Sequence, residues 1–232
     1  MRRILSVALV PFLFLSASAQ NRNQDAFPVL SSDTIHKGKY TLIYINKSEG
    51  FPDSTKDRLI ETFFKVYPKE AKTYNKKTSD TVVFLIDPGY KGVAATSRGV
   101  VRYNPDWFAK HPQDIDVVTH EAMHIVQDYR GGSGPGWITE GIADYVRYKM
   151  GVNNEASGWK LPDYTVKQNF DNSYRVTARF FVWIEKKHDK KFVKKLDKAM
   201  REHTYTADFT KNETGKTFEE LWSEYAAAPL ME

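Results

Sequence analysis

A run of glycines and a proline separates two helix-forming segments, and the reversal it imposes constrains this chain more than any other feature. Residues 118–148 read VTHEAMHIVQDYRGGSGPGWITEGIADYVRY. Val118, Ala122, Ile125 and Val126 recur at the spacing of one helix face, which predicts a helix over about Gln113–Asp128. Gly131, Gly132, Gly134 and Pro135 favour turns and cannot easily continue it. A second helix is expected from about Ile138 to Tyr148. The link is long enough to turn the chain back, so the second helix starts beside the end of the first.

This hairpin carries a chemical pattern. His120-Glu121-Ala122-Met123-His124 has the spacing H-E-x-x-H. Residues four apart share a helix face, so two imidazoles can hold one zinc ion. Glu121 is rotated about 100° from His120 around the axis. Its carboxylate can approach a zinc-activated water as general base without ligating the metal. The alternative is a core helix with two ordinary histidines. The chain has no cysteine, so a metal must sit on histidines and carboxylates.

A catalytic zinc needs a third protein ligand. Metzincins continue with glycine at position 127 and histidine at 130; Gln127 and Arg130 exclude that class. The other arrangement takes a carboxylate from the next helix, and Glu140 opens Glu140-Gly141-Ile142-Ala143-Asp144. Asp144, one turn on, faces the same way and could accept the free N–H of a ligating histidine. Asp128 is a rival ligand, and the helix dipole is a separate reason for a carboxylate at Glu140.

The chain begins MRRILSVALVPFLFLSASAQ. A positive start, a short apolar run and Ala17-Ser18-Ala19 predict a secretory signal peptide over residues 1–19, cut after Ala19. Residues 20–38 are expected to be a flexible leader, and residues 39–232 a single domain. No second long apolar run exists, so no stable membrane insertion is expected, and the protein should be secreted or periplasmic. The net charge of +5 includes a late lysine cluster mixed with acidic residues, which reads as a solvated helix face and not a nucleic-acid surface.

Strands are expected at Lys39–Asn46, Thr81–Ile86 (buried, from its continuous apolar run), Gly92–Ser97 and Gly99–Tyr103. A helix capped by Ser54 should be broken or kinked at Pro68. A short helix is expected from Asn104-Pro105 through Trp107 and Phe108. Further helices are expected at Tyr174–Lys187, Lys190–Glu202 and Thr217–Ala228, the last opened by the capping-box pair Thr217 and Glu220. A sheet early and helices late make an α+β domain.

VVTHEAMHIVQDY, PGWITEGIADYVRY, YRVTARFFVWIE and TGKTFEELWSEY, with IDPGYKGVAATS, resemble the basic secretory protein family. The resemblance runs from about Tyr40 to the C-terminus and is strongest over Asp114–Met150. It implies a zincin-like fold, a small mixed sheet followed by the active-site helix and a helical C-terminal half. It also implies one zinc per chain in a gluzincin-type site and peptidase activity. His120 and His124 carry over as ligands, Glu121 as base, and Glu140 as third ligand from the gluzincin pattern. The resemblance also points to Tyr174 and Arg179, either of which could stabilise an oxyanion near the metal. The expected function is a secreted zinc-dependent peptidase acting on polypeptides, with the Gly92–Tyr103 strands offering an edge for an extended substrate. The alternatives are a non-catalytic binding or defence-type protein on the same fold, and hydrolysis of a non-peptide amide.

Overall fold

The protein was examined as a computed structural model, which describes residues 27–229. The expected signal peptide and the first part of the leader lie outside the described residues. Strands β1 (Ser31–Lys37) and β2 (Tyr40–Asn46) precede helix α1 (Asp53–Thr73). Strands β3 (Thr81–Ile86), β4 (Ala94–Ser97) and β5 (Val100–Tyr103) lead to helices α2 (Pro105–Lys110), α3 (Val117–Gln127) and α4 (Gly136–Met150). The late helices are α5 (Tyr174–Lys187), α6 (Phe192–Arg201), α7 (Phe209–Thr214) and α8 (Phe218–Ala227). The result is an α+β molecule with a mixed five-stranded sheet in the order β1-β2-β3-β5-β4.

Two antiparallel hairpins, β1–β2 and β4–β5, are joined through β3, which pairs in parallel with β2 and β5. A parallel β2–β3 pair needs a crossover, and α1 supplies it. Leu59, Phe63, Val66 and Tyr67 of α1 are buried. They meet the inward residues Tyr40, Leu42 and Tyr44 of β2 and Val82, Phe84 and Ile86 of β3. Phe63 and Phe84 meet edge to face at 5.4 Å, as do Phe84 and Tyr103 at 5.0 Å. A second apolar centre lies among the late helices, where Phe180 packs against Trp222 at 5.1 Å and Trp137 against Phe218 at 5.0 Å. Each fully buried aromatic contributes on the order of 1.5–3 kcal/mol by leaving water.

The structure departs from the sequence-based expectations at several places. Residues Ser31–Lys37, expected within the leader, form β1 along the whole of β2. Its side chains are mostly exposed on both faces, Ile35 alone being partly buried against the core, so main-chain pairing is its principal tie and no apolar alternation marks it. α1 starts at Asp53 with Pro52 in the cap position, and Ser54 lies inside it. The helix runs through Pro68 to Thr73, because Tyr67, Glu70 and Ala71 on either side of the proline are buried. β3 alternates buried and partly exposed residues, since its other face is not fully covered. α3 begins at Val117, four residues later than expected, and α7 had no periodic signal at all.

Candidate metal centre

Helix α3 is buried on nearly every side. Of its residues only His124 is partly exposed, so this segment behaves as a core helix with polar groups placed on purpose. Its start is tied down by Asp116, itself buried. Asp116 accepts from the Thr119 hydroxyl at 3.0 Å and from the amides of Val152 at 2.8 Å and Asn153 at 2.5 Å. Its last carbonyls are satisfied by neighbours: Asn75 Nδ2 donates to Val126 O at 2.9 Å and Thr78 Oγ1 to Ile125 O at 3.2 Å. Asp128 then takes a left-handed conformation, φ 45°, and ends the helix. Gly132 and Gly134, at φ 84° and 156°, let the chain reverse where other residues would be strained. A Cβ at Gly134 would meet Met200 at 3.0 Å and Tyr205 at 3.3 Å.

The reversal lays the first turn of α4 against His120 and His124. His120 Nε2 lies 3.1 Å from His124 Nε2 and 3.1 Å from Glu140 Oε2, and His124 Nε2 lies 3.5 Å from the same oxygen. Three ligand atoms about 2.0–2.1 Å from a tetrahedral zinc are about 3.4 Å apart, so this triangle fits the ion. The donor set, two imidazole nitrogens and one carboxylate oxygen, fits zinc as well. Each ring is also held from behind. His120 Nδ1 pairs with Asp144 Oδ1 at 2.7 Å, and His124 Nδ1 pairs with Gln127 Oε1 at 2.7 Å. Gln127 is fixed in turn, its amide donating to Thr139 O at 2.9 Å. Acceptors on both Nδ1 atoms favour the tautomer that turns an Nε2 lone pair toward the shared point.

Electrostatics follow from this packing. Burial opposes charge on His120, but the carboxylates of Asp144 and Glu140 at its two nitrogens outweigh it and raise its pKa to about 10. Burial likewise opposes charge on Glu140, and the hydrogen bonds to His120 and His124 overcome it, holding its carboxyl well below the usual range. Glu140 therefore keeps its negative charge at neutral pH and draws the proton or cation that the triangle can accept.

Glu121 points elsewhere. It is 6% exposed, and Thr96 Oγ1 on β4 lies 2.7 Å from its Oε2 and 3.0 Å from its main-chain oxygen. The Glu121 carboxylate is thus fixed by the sheet and not by the two histidines. Across the opening, the Tyr174 ring lies parallel to His120 with centroids 6.1 Å apart, and it is 54% exposed. Ser173 and Tyr174 both take left-handed φ angles, 67° and 46°, a conformation that costs roughly 1–3 kcal/mol per residue. The charge of Glu140, then burial, raises the Tyr174 phenol pKa, so the hydroxyl keeps its proton. His120, Glu121, His124, Glu140, Asp144 and Tyr174 all line one cleft of about 1250 Å³.

Two residues singled out in the sequence lie apart. Asp128 is exposed in the helix cap, and among the described residues the metal-capable group is His120, His124 and Glu140. Arg179 donates to the Tyr225 hydroxyl at 2.9 Å and to Pro229 O at 3.3 Å, so its guanidinium is committed to the C-terminal segment. Sequence reasoning missed Thr96 and Gln127. Gln127 carried a signal, being three residues after His124 and so within reach of its ring. Thr96 carried none, since its contact joins residues 25 positions apart.

The family described as BSP, peptidase of plants and bacteria, matches residues 36–225. No curated protein sequence matches the chain. Among solved structures, a two-domain M1 zinc metallopeptidase mutant bound to L-tryptophan aligns at 12% identity and TM-score 0.49, over 87% of this chain and 52% of that one. The M1 zinc metallopeptidase from Deinococcus radiodurans aligns at 11% identity and TM-score 0.46, over 82% of this chain and 49% of that one. The chain spans about half the length of these structures.

Proposed function

Because the chain belongs to the basic secretory protein family, peptidases of plants and bacteria, we propose that it is a zinc-dependent peptidase using His120, His124 and Glu140 as ligands and Glu121 as general base. The observation that carries this reading is the triangle of ligand atoms, 3.1 to 3.5 Å on each side, with a separate carboxylate beside it. A zinc ion held by these three residues would supply Lewis acidity for the carbonyl and for an attacking water. Glu121 takes the proton of the water that attacks the scissile carbonyl and passes it to the leaving amine. Thr96 fixes the Glu121 carboxylate at the wall of the cleft. Asp144 and Gln127 hold the two imidazoles in their tautomers. The Tyr174 hydroxyl donates to the carbonyl oxygen as negative charge grows on it. Strand β4 is a sheet edge beside α3, so an extended polypeptide can add to it by main-chain hydrogen bonds.

We take the domain carrying this site to be residues 39–232, with β1 paired along its first strand. We place the mature protein outside the cytoplasm, starting at Gln20, on the strength of the leader MRRILSVALVPFLFLSASA. Among the described residues no helix is long and apolar enough to cross a membrane. N-terminal sequencing of exported protein tests the start; a product retaining Met1 overturns it.

The deciding experiment measures zinc content and peptide-library cleavage for the wild type and Glu121→Gln from matched preparations. Near one zinc per chain is expected in both, with turnover at least about a hundredfold lower in the variant. No zinc after reconstitution refutes the metal site. Full activity in Glu121→Gln refutes its role as base.

A further inference from the structure

Seven residues beyond Glu140 on α4, and three beyond Asp144, lies Arg147, on the same flank of the helix. It lines the cleft although only 5% exposed. Its Nε donates to Asn154 Oδ1 at 3.1 Å, its Nη2 donates to Asp114 Oδ1, and its guanidinium lies 4.5 Å from the centre of the Trp159 ring. The other oxygen of Asp114 accepts from Trp107 Nε1 at 2.9 Å. Asp114 is therefore engaged on both oxygens, while Nη1 of Arg147 has no protein partner among the described residues. The guanidinium thus reaches the cleft with donor capacity to spare, and the natural complement of that donor is a carboxylate. Asp114 balances the charge of Arg147, but Lys110, at the end of α2 on the same cleft and without an ion-pair partner among the described residues, leaves this end of the cleft positive.

We propose that Arg147, flanked by Trp107 and Trp159 and aided by Lys110, forms a subsite that binds a carboxylate of the peptide substrate. The inference rests on the peptidase reading and names its substrate class. Seven helical residues rise about 10 Å, the reach of about three residues of extended chain. The carboxylate thus belongs to a residue a few positions from the scissile bond. Either an aspartate or glutamate side chain or the C-terminus of a short substrate provides it.

The test uses four peptides of one cleavable sequence: Asp or Asn at a scanned position, each with a free or amidated C-terminus. KM is measured with the zinc-loaded enzyme, and binding of the same peptides by calorimetry to Glu121→Gln. One acid form is expected to have a KM at least about tenfold lower than its amide, the effect of a charge-assisted hydrogen bond. The Asp/Asn pair and the terminus pair separate the two sources. Equal KM across all four on peptides that are cleaved overturns the subsite and leaves the peptidase reading intact. If no peptide is cleaved the peptidase reading fails, and the binding arm decides: tighter acid binding supports the subsite, equal binding overturns it.

Two variants locate the effect. Asp114→Asn with Arg147→Gln removes both charges without stranding a buried carboxylate, and the acid-to-amide ratio should fall close to one. Arg147→Lys keeps the ion pair and so the fold, but loses the fork, and should lower the ratio at least threefold. A ratio unchanged in either folded variant overturns the assignment.

Discussion

Gln127 reaches His124 with its carbonyl and Thr139 with its amide, so it couples a ligand on α3 to the main chain entering α4. Gln127→Leu removes the acceptor at nearly constant volume, and zinc affinity should fall about 10- to 100-fold by competition with a chelator, with the fold unchanged. Glu70 is a different case. It is 0% exposed, neither carboxyl oxygen has a partner among the described residues, and burial raises its pKa well above the ordinary range. The folded protein keeps a proton there that the unfolded chain sheds above about pH 4.3. Stability contributed at this site is therefore lost as pH rises from that value. Glu70→Gln carries no such proton, so its urea midpoint should exceed the wild type's by a margin that grows from pH 5 to pH 8; a margin that shrinks refutes the assignment. At this scale the meeting of His120, His124 and Glu140 was legible, because helix spacing and one tight reversal determine it. The partners of Thr96 and Arg147 and the full burial of Glu70 were not, because each depends on how separate elements pack.

Between elements, the closest fit is the crossing of α4 and α5 at Gly141. A Cβ there would lie 2.3 Å from Thr177 Cγ2 and 3.2 Å from Phe181 Cε2. Glu140 precedes this glycine, and Tyr174 opens the helix that packs on it, so the crossing sets the phenol against the ligand cluster. Gly141→Ala should cost about 1–3 kcal/mol in chemical denaturation through overpacking. Thr177→Ser removes the nearer methyl and keeps a hydroxyl for Phe170 O, bonded at 2.6 Å in the wild type. The pair should therefore couple in a double-mutant cycle, the serine recovering part of the loss; simple additivity would mean the strain is relieved elsewhere. Strong periodicity or cap chemistry made β2, α5 and α8 readable, the last through the Thr217 and Glu220 capping box. β1 and the passage of α1 through Pro68 were unreadable because their neighbours, and not their own residues, stabilise them.

For the molecule as a whole, a ligand that binds only the folded chain raises its stability by mass action. Zinc at about a hundred times its Kd should add about 2.7 kcal/mol, or roughly 5–10 °C in Tm for a chain of this size, and chelator should reverse the shift. A Tm indifferent to zinc would mean that the triangle binds no ion. The fold class was legible because the strand-like patterns are confined to the first half of the sequence and the second half reads as helices, and the sheet order was not, since β5 inserting between β3 and β4 leaves no local mark. The turn that closes the site has one more consequence. Arg130, Gly131 and Gly132 are exposed at its tip, the kind of segment that proteases nick first. A cut after Arg130 leaves His120 and His124 on one fragment and Glu140 on the other, joined only by packing. In brief trypsin digestion, loss of activity should keep pace with a new fragment beginning at Gly131, and bound zinc should slow both. A working life among proteases would then be limited by the same few residues that brought the two helices together.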